Sequence, residues 1–371
     1  MTGLSAPPWR LLWYLVLPRP WDLLIKGLFL LVPLLLALAT TPGTPPTPSD
    51  TVLCVVAFEV LCYQGRYAVN DLLGRAEDAR HPYADRRRRL PSTATYMSAA
   101  AWTSVAVRAA LAGLVACAVS AHLRRGLVLG MVLVVVLGIG YELLRWRLRS
   151  SPAADLCRES PCVLALWAWV GLGYSLRATE GYWIGGNGSV PWRALVLAML
   201  TGSVLGSMHV TMSWALEARA LVLAEGPATG SSGVLTSKRH LAPLLRHLPP
   251  DPDEPCRPLA GPGPSGSPWN TCLVLAALLA AVQGAQAALA IRGAVPSTAL
   301  LPAVTATVCA VAIGHALPGP AALIGAVGVA VCIGWSSIAG APRPAAAGVP
   351  LLGVFTVYLV LRRTRYDHLL R

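Results

Sequence analysis

Leu127-Val-Leu-Gly-Met-Val-Leu-Val-Val-Val-Leu-Gly-Ile-Gly-Tyr-Glu-Leu-Leu144 is the stretch whose reading settles what kind of chain this is. It carries one charged residue, Glu142, close to its end. A bilayer core takes about 20 apolar residues per helix, so this run reads as a membrane span. Arg145, Arg147 and Arg149 follow it at the level where headgroups would meet them. Nine similar runs lie on either side: Leu23–Leu38, Thr51–Asn70, Ser98–Ser120, Val163–Tyr174, Ala194–Thr211, Thr271–Ile291, Thr298–Ala316, Ala321–Ile338 and Val349–Leu361. In lipid every backbone polar group must be paired internally, and the runs are too long and too evenly apolar for barrel strands. The expectation is an all-α integral membrane protein of about nine to ten spans, with Gly and Ala letting helices approach closely.

The composition agrees. Of 371 residues 55% are hydrophobic and 13% charged, about half the charged share of a soluble domain. Thirty Lys and Arg stand against 17 Asp and Glu, a net charge of +13. The basic residues sit between apolar runs and not on a polar domain, which argues against nucleic acid as a partner. Nine cysteines form no CxxC pair and read as small hydrophobes. The N-terminus lacks a secretory cleavage pattern; Trp9, Trp13, Tyr14 and Trp21 with Arg10, Arg19 and Lys26 read as an interfacial entry. Residues 1–371 read as one membrane domain.

Positive charge gives the orientation. Arg75–Arg89, Arg145–Arg149, Arg219–Arg246 and Arg362–Arg365 fall on one face if ten spans start from a cytoplasmic N-terminus. Arg124 and Arg125 then fall on the other face, against the rule. The expected location is multi-pass, in a bacterial plasma membrane, with the site at the cytoplasmic face. Two long loops, 71–96 and 213–270, share that face. Within the second, 213–225 reads as helical and 228–268, rich in Gly, Pro and Ser, as mobile.

Chemistry concentrates where the second span ends. At 100° per residue, Asn70, Asp71, Gly74 and Asp78 fall within one helical arc. An amide and two carboxylates at a membrane edge suit Mg²⁺ held through few carboxylates and substrate phosphates. The arginines just beyond, Arg75 and Arg80 first, suit a diphosphate. The competing reading is a polar helix end followed by an ordinary positive loop.

These residues resemble a known family. Asn70-Asp71-x-x-Gly74-x-x-x-Asp78 is similar to the NDxxDxxxD motif of the UbiA superfamily of intramembrane prenyltransferases. Arg80-His81-Pro82 resembles the DRxHP that follows it in the branch making decaprenyl-phosphate phosphoribose. Pro18-Arg19-Pro20-Trp21 with Lys26 resembles that branch's RPxxW…KN, Tyr141-Glu-Leu-Leu-Arg145-Trp-Arg147 resembles YSxxLKR, and Leu172-Gly173-Tyr174-Ser-Leu176-Arg177-Ala178 resembles GFxLRA. The matched stretches run from residue 18 to about 225. The resemblance implies a UbiA-like bundle of about nine helices around a cavity open to the cytoplasm. It implies two acidic motifs that hold Mg²⁺ and an isoprenyl diphosphate, with Tyr141, Arg145, Arg147 and Arg177 as further substrate ligands.

Two departures matter. Gly74 stands where prenyltransferases carry the middle Asp, and Asn70-x-x-x-Gly74-x-x-x-Asp78 is instead similar to the Nxxx(G/A)xxxD of UbiA-type terpene cyclases. No DxxxD follows the sixth span; Glu217 is the best substitute carboxylate, ahead of Glu225. The resulting expectation is a Mg²⁺-dependent enzyme in which Asn70, Asp71, Asp78 and Glu217 hold the metal and the isoprenyl diphosphate is ionised and cyclised. The alternative is transfer of the prenyl chain to an aromatic or lipid-linked acceptor. A transporter fits less well, since the acidic residues cluster at one face and not at the midplane. Arg177 reads as either a bundle-facing diphosphate ligand or a snorkelling residue, with Glu180 able to pair with it; His209 reads as a histidine satisfied within the bundle, and Trp167, Trp169, Trp183, Trp192 and Trp214 as either cation-stabilising rings or an interfacial belt.

Overall fold

The computed structural model describes residues 15, 20–41, 43–79, 81, 95–150, 161–225, 238, 240–247, 267–289, 299–315 and 318–363. Every regular element among them is helical. The helices are α1 (Pro20–Thr40), α2 (Pro48–Leu73), α3 (Arg75–Ala79), α4 (Thr95–Ala118), α5 (Ala121–Ser150), α6 (Pro161–Gly185), α7 (Trp192–Glu225), α8 (Pro268–Ala288), α9 (Leu300–His315), α10 (Pro318–Ile338) and α11 (Val349–Arg363). Short 3₁₀ turns at Ala242–His247 and Pro344–Ala347 complete the set.

Eight of these helices are long and apolar enough to cross a membrane, so the chain is a multi-pass membrane protein. Over its described residues, each of the ten apolar runs read from the sequence is mainly helical. Two, Ile25–Thr40 and Leu300–His315, are shorter than the rest. On α5 the side chains of Val128, Leu129, Val132, Leu133, Val135, Val136, Ile139 and Leu143 are exposed on the outer face of the described residues. An outer face of that kind is stable only under lipid.

Helix starts follow local chemistry. At α2 the Thr47 hydroxyl accepts from the Asp50 amide at 3.1 Å, Pro48 occupies a position that needs no amide donor, and Asp50 faces the positive end of the dipole. Lipid tails give apolar helices no reason to associate, so close contact must come from small residues. At Gly181 and Gly185 of α6, a Cβ would run into the Leu30 and Leu34 carbonyl oxygens of α1. The two glycines are one turn apart and set the crossing of these helices. Along α8 the same role falls to alanine: Ala276, Ala277, Ala280 and Ala281 are all buried.

Helix direction alternates, so one end of the bundle gathers the start of α1, the ends of α2, α5 and α7, and the start of α6. The opposite end holds the α6–α7 turn, where Asn187 Oδ1 sits 2.7 Å from His122 Nε2 and Asn187 Nδ2 donates to the Thr44 carbonyl at 3.1 Å. The Asn187-Gly-Ser189 triplet therefore has its amide engaged in the fold. Arg124 also lies there, donating to the Cys117 and Val119 carbonyls at 2.9 and 3.1 Å. These carbonyls lie at and just past the end of α4, so Arg124 has a structural role in capping that helix. Cys54, Cys62, Cys117, Cys162, Cys272, Cys309 and Cys332 are free thiols.

Within 228–268, expected to be mobile, residues 240–247 pack onto α7. Leu241 and Leu244 are completely buried, and Leu241 contacts Ala218 and Leu221. Three leucines in five residues (Leu241, Leu244, Leu245) supply the burial that the flanking Gly/Pro/Ser sequence lacks.

Candidate functional site

Along α2 the spacing Tyr63, Tyr67, Asn70, Gly74, Asp78 carries one face toward α6 and on to the bundle end. The hydrogen-bond ladder continues through the turn at Gly74: its amide donates to Asn70 O at 2.9 Å, and the Asp78 amide donates to Gly74 O at 3.0 Å. The helix nevertheless breaks at Gly74 and resumes as α3. Asn70, Gly74 and Asp78, four residues apart, line a cavity of about 150 Å³ at the bundle end. Asp71 is buried but is not among the lining residues; on a continuous helix it would stand about 20° from Asp78, and the break at Gly74 lies between the two. The expected convergence of all four positions thus resolves into three that share the cavity and one that does not.

Around the cavity stand Lys26 from α1, Arg66 and Tyr67 from α2, Tyr141 and Arg145 from α5, Arg177 from α6, and Trp214 and Glu217 from α7, with Lys238 and His240 from the segment after it. Val170, Gly173 and Val210 make the apolar wall. Five cations thus face two carboxylates, Asp78 and Glu217. An excess of that sign in a walled site attracts a multiply charged anion.

Each charge is held. Arg145 Nη1 donates to Asn70 Oδ1 at 3.0 Å and to Glu142 Oε1 at 3.2 Å. Its guanidinium and that of Arg66 approach the Tyr141 ring, at 5.4 and 5.7 Å. Lys26 lies over the Tyr67 ring at 4.5 Å. Arg177 is 1% exposed and pairs with Glu59, Nε to Oε1 at 2.6 Å. Its Nη2 donates to Tyr67 Oη at 3.1 Å, and its Cζ stacks 3.4 Å above the Tyr63 ring. Glu180, read from the sequence as the partner of Arg177, is not: its Oε2 is turned toward Gly130 of α5, and its Oε1 finds no hydrogen bond among the described residues.

Glu217 Oε1 accepts from Lys238 Nζ at 2.7 Å and lies 3.5 Å from His81 Nε2. His240 stacks edge-on against Trp214, with ring centroids 4.6 Å apart, while its carbonyl accepts from Trp167 Nε1 at 3.3 Å. Burial, then the charges of Arg145 and Lys238, push the His240 imidazole down from 6.5 to about 3, so it is neutral at ordinary pH.

Other sequence candidates lie elsewhere. Arg147 is exposed on α5 and does not line the cavity; two residues after Arg145 is 200° around the helix, so it takes the opposite face. Arg75 donates to Ser98 Oγ of α4 at 2.7 Å. Arg80 and the side chain of Glu225 are outside the described residues. His209 packs against the rings of Phe29 and Tyr174 inside the bundle. Of the five tryptophans considered, Trp214 alone lines the cavity.

The oxygens fit Mg²⁺ in a limited way. Asp78 lines the cavity and offers a hard carboxylate that Mg²⁺ can use when substrate phosphates complete its shell; Asn70 lines it too, but its Oδ1 accepts from Arg145 at 3.0 Å and must exchange that partner to meet an ion. Glu217 is already engaged by a lysine and a histidine, and no three His, Cys, Asp or Glu side chains gather into a metal-holding group among the described residues. The set therefore suits one ion brought with a phosphate, not a preformed metal cage.

Sequence reasoning missed Glu59, Arg66, Lys238 and His240. The first was legible: Glu59, Tyr63 and Tyr67 extend the Asn70–Gly74–Asp78 face backward at three- and four-residue steps. Lys238 and His240 come from a segment whose composition gives no helical period. No protein-family model, no curated protein and no solved structure matches the chain.

Proposed function

We propose that the chain is an intramembrane enzyme that binds an isoprenyl diphosphate with Mg²⁺, ionises it, and cyclises the resulting allylic cation to a terpene. One observation carries this reading: Lys26, Arg66, Arg145, Arg177 and Lys238 converge with Asn70 and Asp78 on a single cavity at one end of an apolar bundle. A cation-rich polar end joined to an apolar wall matches a diphosphate headgroup with a hydrocarbon tail. At about 150 Å³ the cavity is smaller than the roughly 300–1,000 Å³ of pockets that enclose a whole ligand. It accommodates the headgroup, and the chain leaves along Val170, Gly173 and Val210.

In this reading the arginines and lysines bind the diphosphate and stabilise the charge that grows on it as the carbon–oxygen bond breaks. Mg²⁺, held by Asn70 and Asp78, would supply additional neutralisation of the leaving group. Tyr67, Tyr141, Tyr174 and Trp214 present aromatic rings beside the site, which can stabilise a carbocation without capturing it. The lipid-covered bundle keeps water from the cation. Anionic substrate at the positive end of the protein also fits a site at the cytoplasmic face.

Gly74 favours cyclisation over transfer. A Cβ there would lie 3.7 Å from Arg145 Nη2 and 3.8 Å from Asp78 Oδ2. A carboxylate at this point would occupy the space between Arg145, which faces the headgroup, and Asp78, which would hold the ion. The test is incubation of the purified protein with Mg²⁺ and, in turn, C10, C15 and C20 diphosphates without acceptor. Cyclic hydrocarbon or terpene alcohol products support the proposal. Turnover that begins only when a phenol or phosphosugar is added selects the transferase, and no turnover under either condition rejects both.

A further inference from the structure

Glu59 is 3% exposed, carries a carboxylate inside the bundle, and takes no part in lining the cavity. It sits on Val56–Tyr63, where α2 adopts π-helical turns. Such turns are rare and cost hydrogen-bond geometry, and they recur at functional sites. Here the Val60 carbonyl accepts from Arg108 Nη1 of α4 at 2.6 Å, so a buried guanidinium satisfies the loosened ladder. Below the cavity, Glu59, Tyr63 and Tyr67 all meet one group, the guanidinium of Arg177.

Those contacts hold two edges and one face of the guanidinium. Nε donates to Glu59 at 2.6 Å and Nη2 to Tyr67 Oη at 3.1 Å. The Tyr63 ring supports its face at 3.4 Å and is itself anchored by a 2.6 Å hydrogen bond from its hydroxyl to Gly173 O. Nη1 makes no hydrogen bond to any described residue, and Arg177 lines the cavity. A guanidinium presents its donors in a rigid fork, so clamping two edges and one face dictates where the third edge points. Tyr67 also lies beneath Lys26, which links the aim of Arg177 to a second cation of the site.

We propose that Glu59 is a positioning residue that orients Arg177 so that Nη1 is presented to the bound diphosphate. This rests on the reading of the cavity as a diphosphate site. The carboxylate's reach sets the orientation, while its charge offsets that of Arg177. Length and charge can therefore be separated. Glu59→Asp keeps the charge and withdraws the carboxylate by one methylene. Glu59→Gln keeps the reach and an accepting oxygen and removes the charge. Both leave the buried guanidinium a polar partner.

The experiment titrates inorganic pyrophosphate into the purified full chain by calorimetry, without Mg²⁺, with melting temperatures recorded on the same samples. Loss of a hydrogen bond to a charged group corresponds to about tenfold in affinity, and that is the weakening expected for Glu59→Asp. Glu59→Gln should bind as tightly as the parent protein or tighter, because the cavity gains net positive charge. A buried ion pair with only a structural role would shift melting temperature in both variants and move neither affinity. Parent-like affinity in Glu59→Asp, or a loss in Glu59→Gln as large as in Glu59→Asp, overturns the proposal. If the parent protein binds no pyrophosphate, the diphosphate reading itself fails and the proposal falls with it.

Discussion

Arg145 Nη1 lies 3.0 Å from Asn70 Oδ1, so the amide at the end of α2 is tied to the end of α5 by a cation that also lines the cavity. A guanidinium in that position has two uses: it sets the amide and it faces an incoming anion.

The contrast with Arg147 follows. Arg145→Ala should lower turnover of the proposed substrate about 10- to 100-fold, the cost of a charge-assisted contact. Arg147 is exposed on the other face of α5, so Arg147→Ala should stay within about twofold. Steady-state rates on the two variants at equal expression decide it. Equal losses would mean that the Arg-rich helix end acts through its overall charge and not through one placed side chain.

Asp78→Asn and Asn70→Ala should abolish turnover while leaving membrane expression normal. Both residues line the cavity, and neither substitution removes apolar packing. For Asp78→Asn the rate should fall at least about tenfold at limiting Mg²⁺, because a neutral amide is the poorer ligand for a hard cation. Near-parent rates in either variant would make this helix end structural.

Gly74 separates the two chemical readings by sign. A Cβ there already stands 3.1 Å from Asn70 O, with Arg145 Nη2 and Asp78 Oδ2 at 3.7 and 3.8 Å. In a cyclase, Gly74→Asp adds bulk and negative charge beside the leaving diphosphate, and product formation should fall about tenfold or more. In a transferase the new carboxylate should strengthen Mg²⁺ binding and raise acceptor-dependent prenylation. Product analysis on this one variant reads the sign directly.

His240 gives a pH signature. Its imidazole titrates at about 3 when folded against 6.5 as the ordinary value. The unfolded segment binds the extra proton between those values, so the contribution to stability is complete above about 6.5 and is lost as pH falls toward about 3. Amide protection factors of residues 240–247, corrected for intrinsic exchange, should drop through that window. His240→Gln should flatten the profile. An unchanged profile in the variant would assign the loss to another group.

The membrane character was readable from Leu127–Leu144 because an apolar run of that length has one stable solution in lipid. The face of α2 was readable too, since Asn70, Gly74 and Asp78 repeat every four residues. Three things were hidden. The break at Gly74 separates Asp71 from Asp78, positions that a continuous helical arc groups together. The partner of Arg177 is Glu59, 118 residues away, whereas Glu180 is merely close in sequence. The 238–247 segment reaches the cavity through burial of Leu241 and Leu244, and a Gly/Pro-rich setting conceals such an anchor.

The central claim is that the cavity ionises an isoprenyl diphosphate. Release of inorganic pyrophosphate from C15 and C20 diphosphates by the purified protein, with and without Mg²⁺, tests it most directly, with Asp78→Asn as the control. The account predicts release that requires Mg²⁺ and is lost in Asp78→Asn. Absence of release from every chain length offered, or release that is equal in Asp78→Asn, would contradict it.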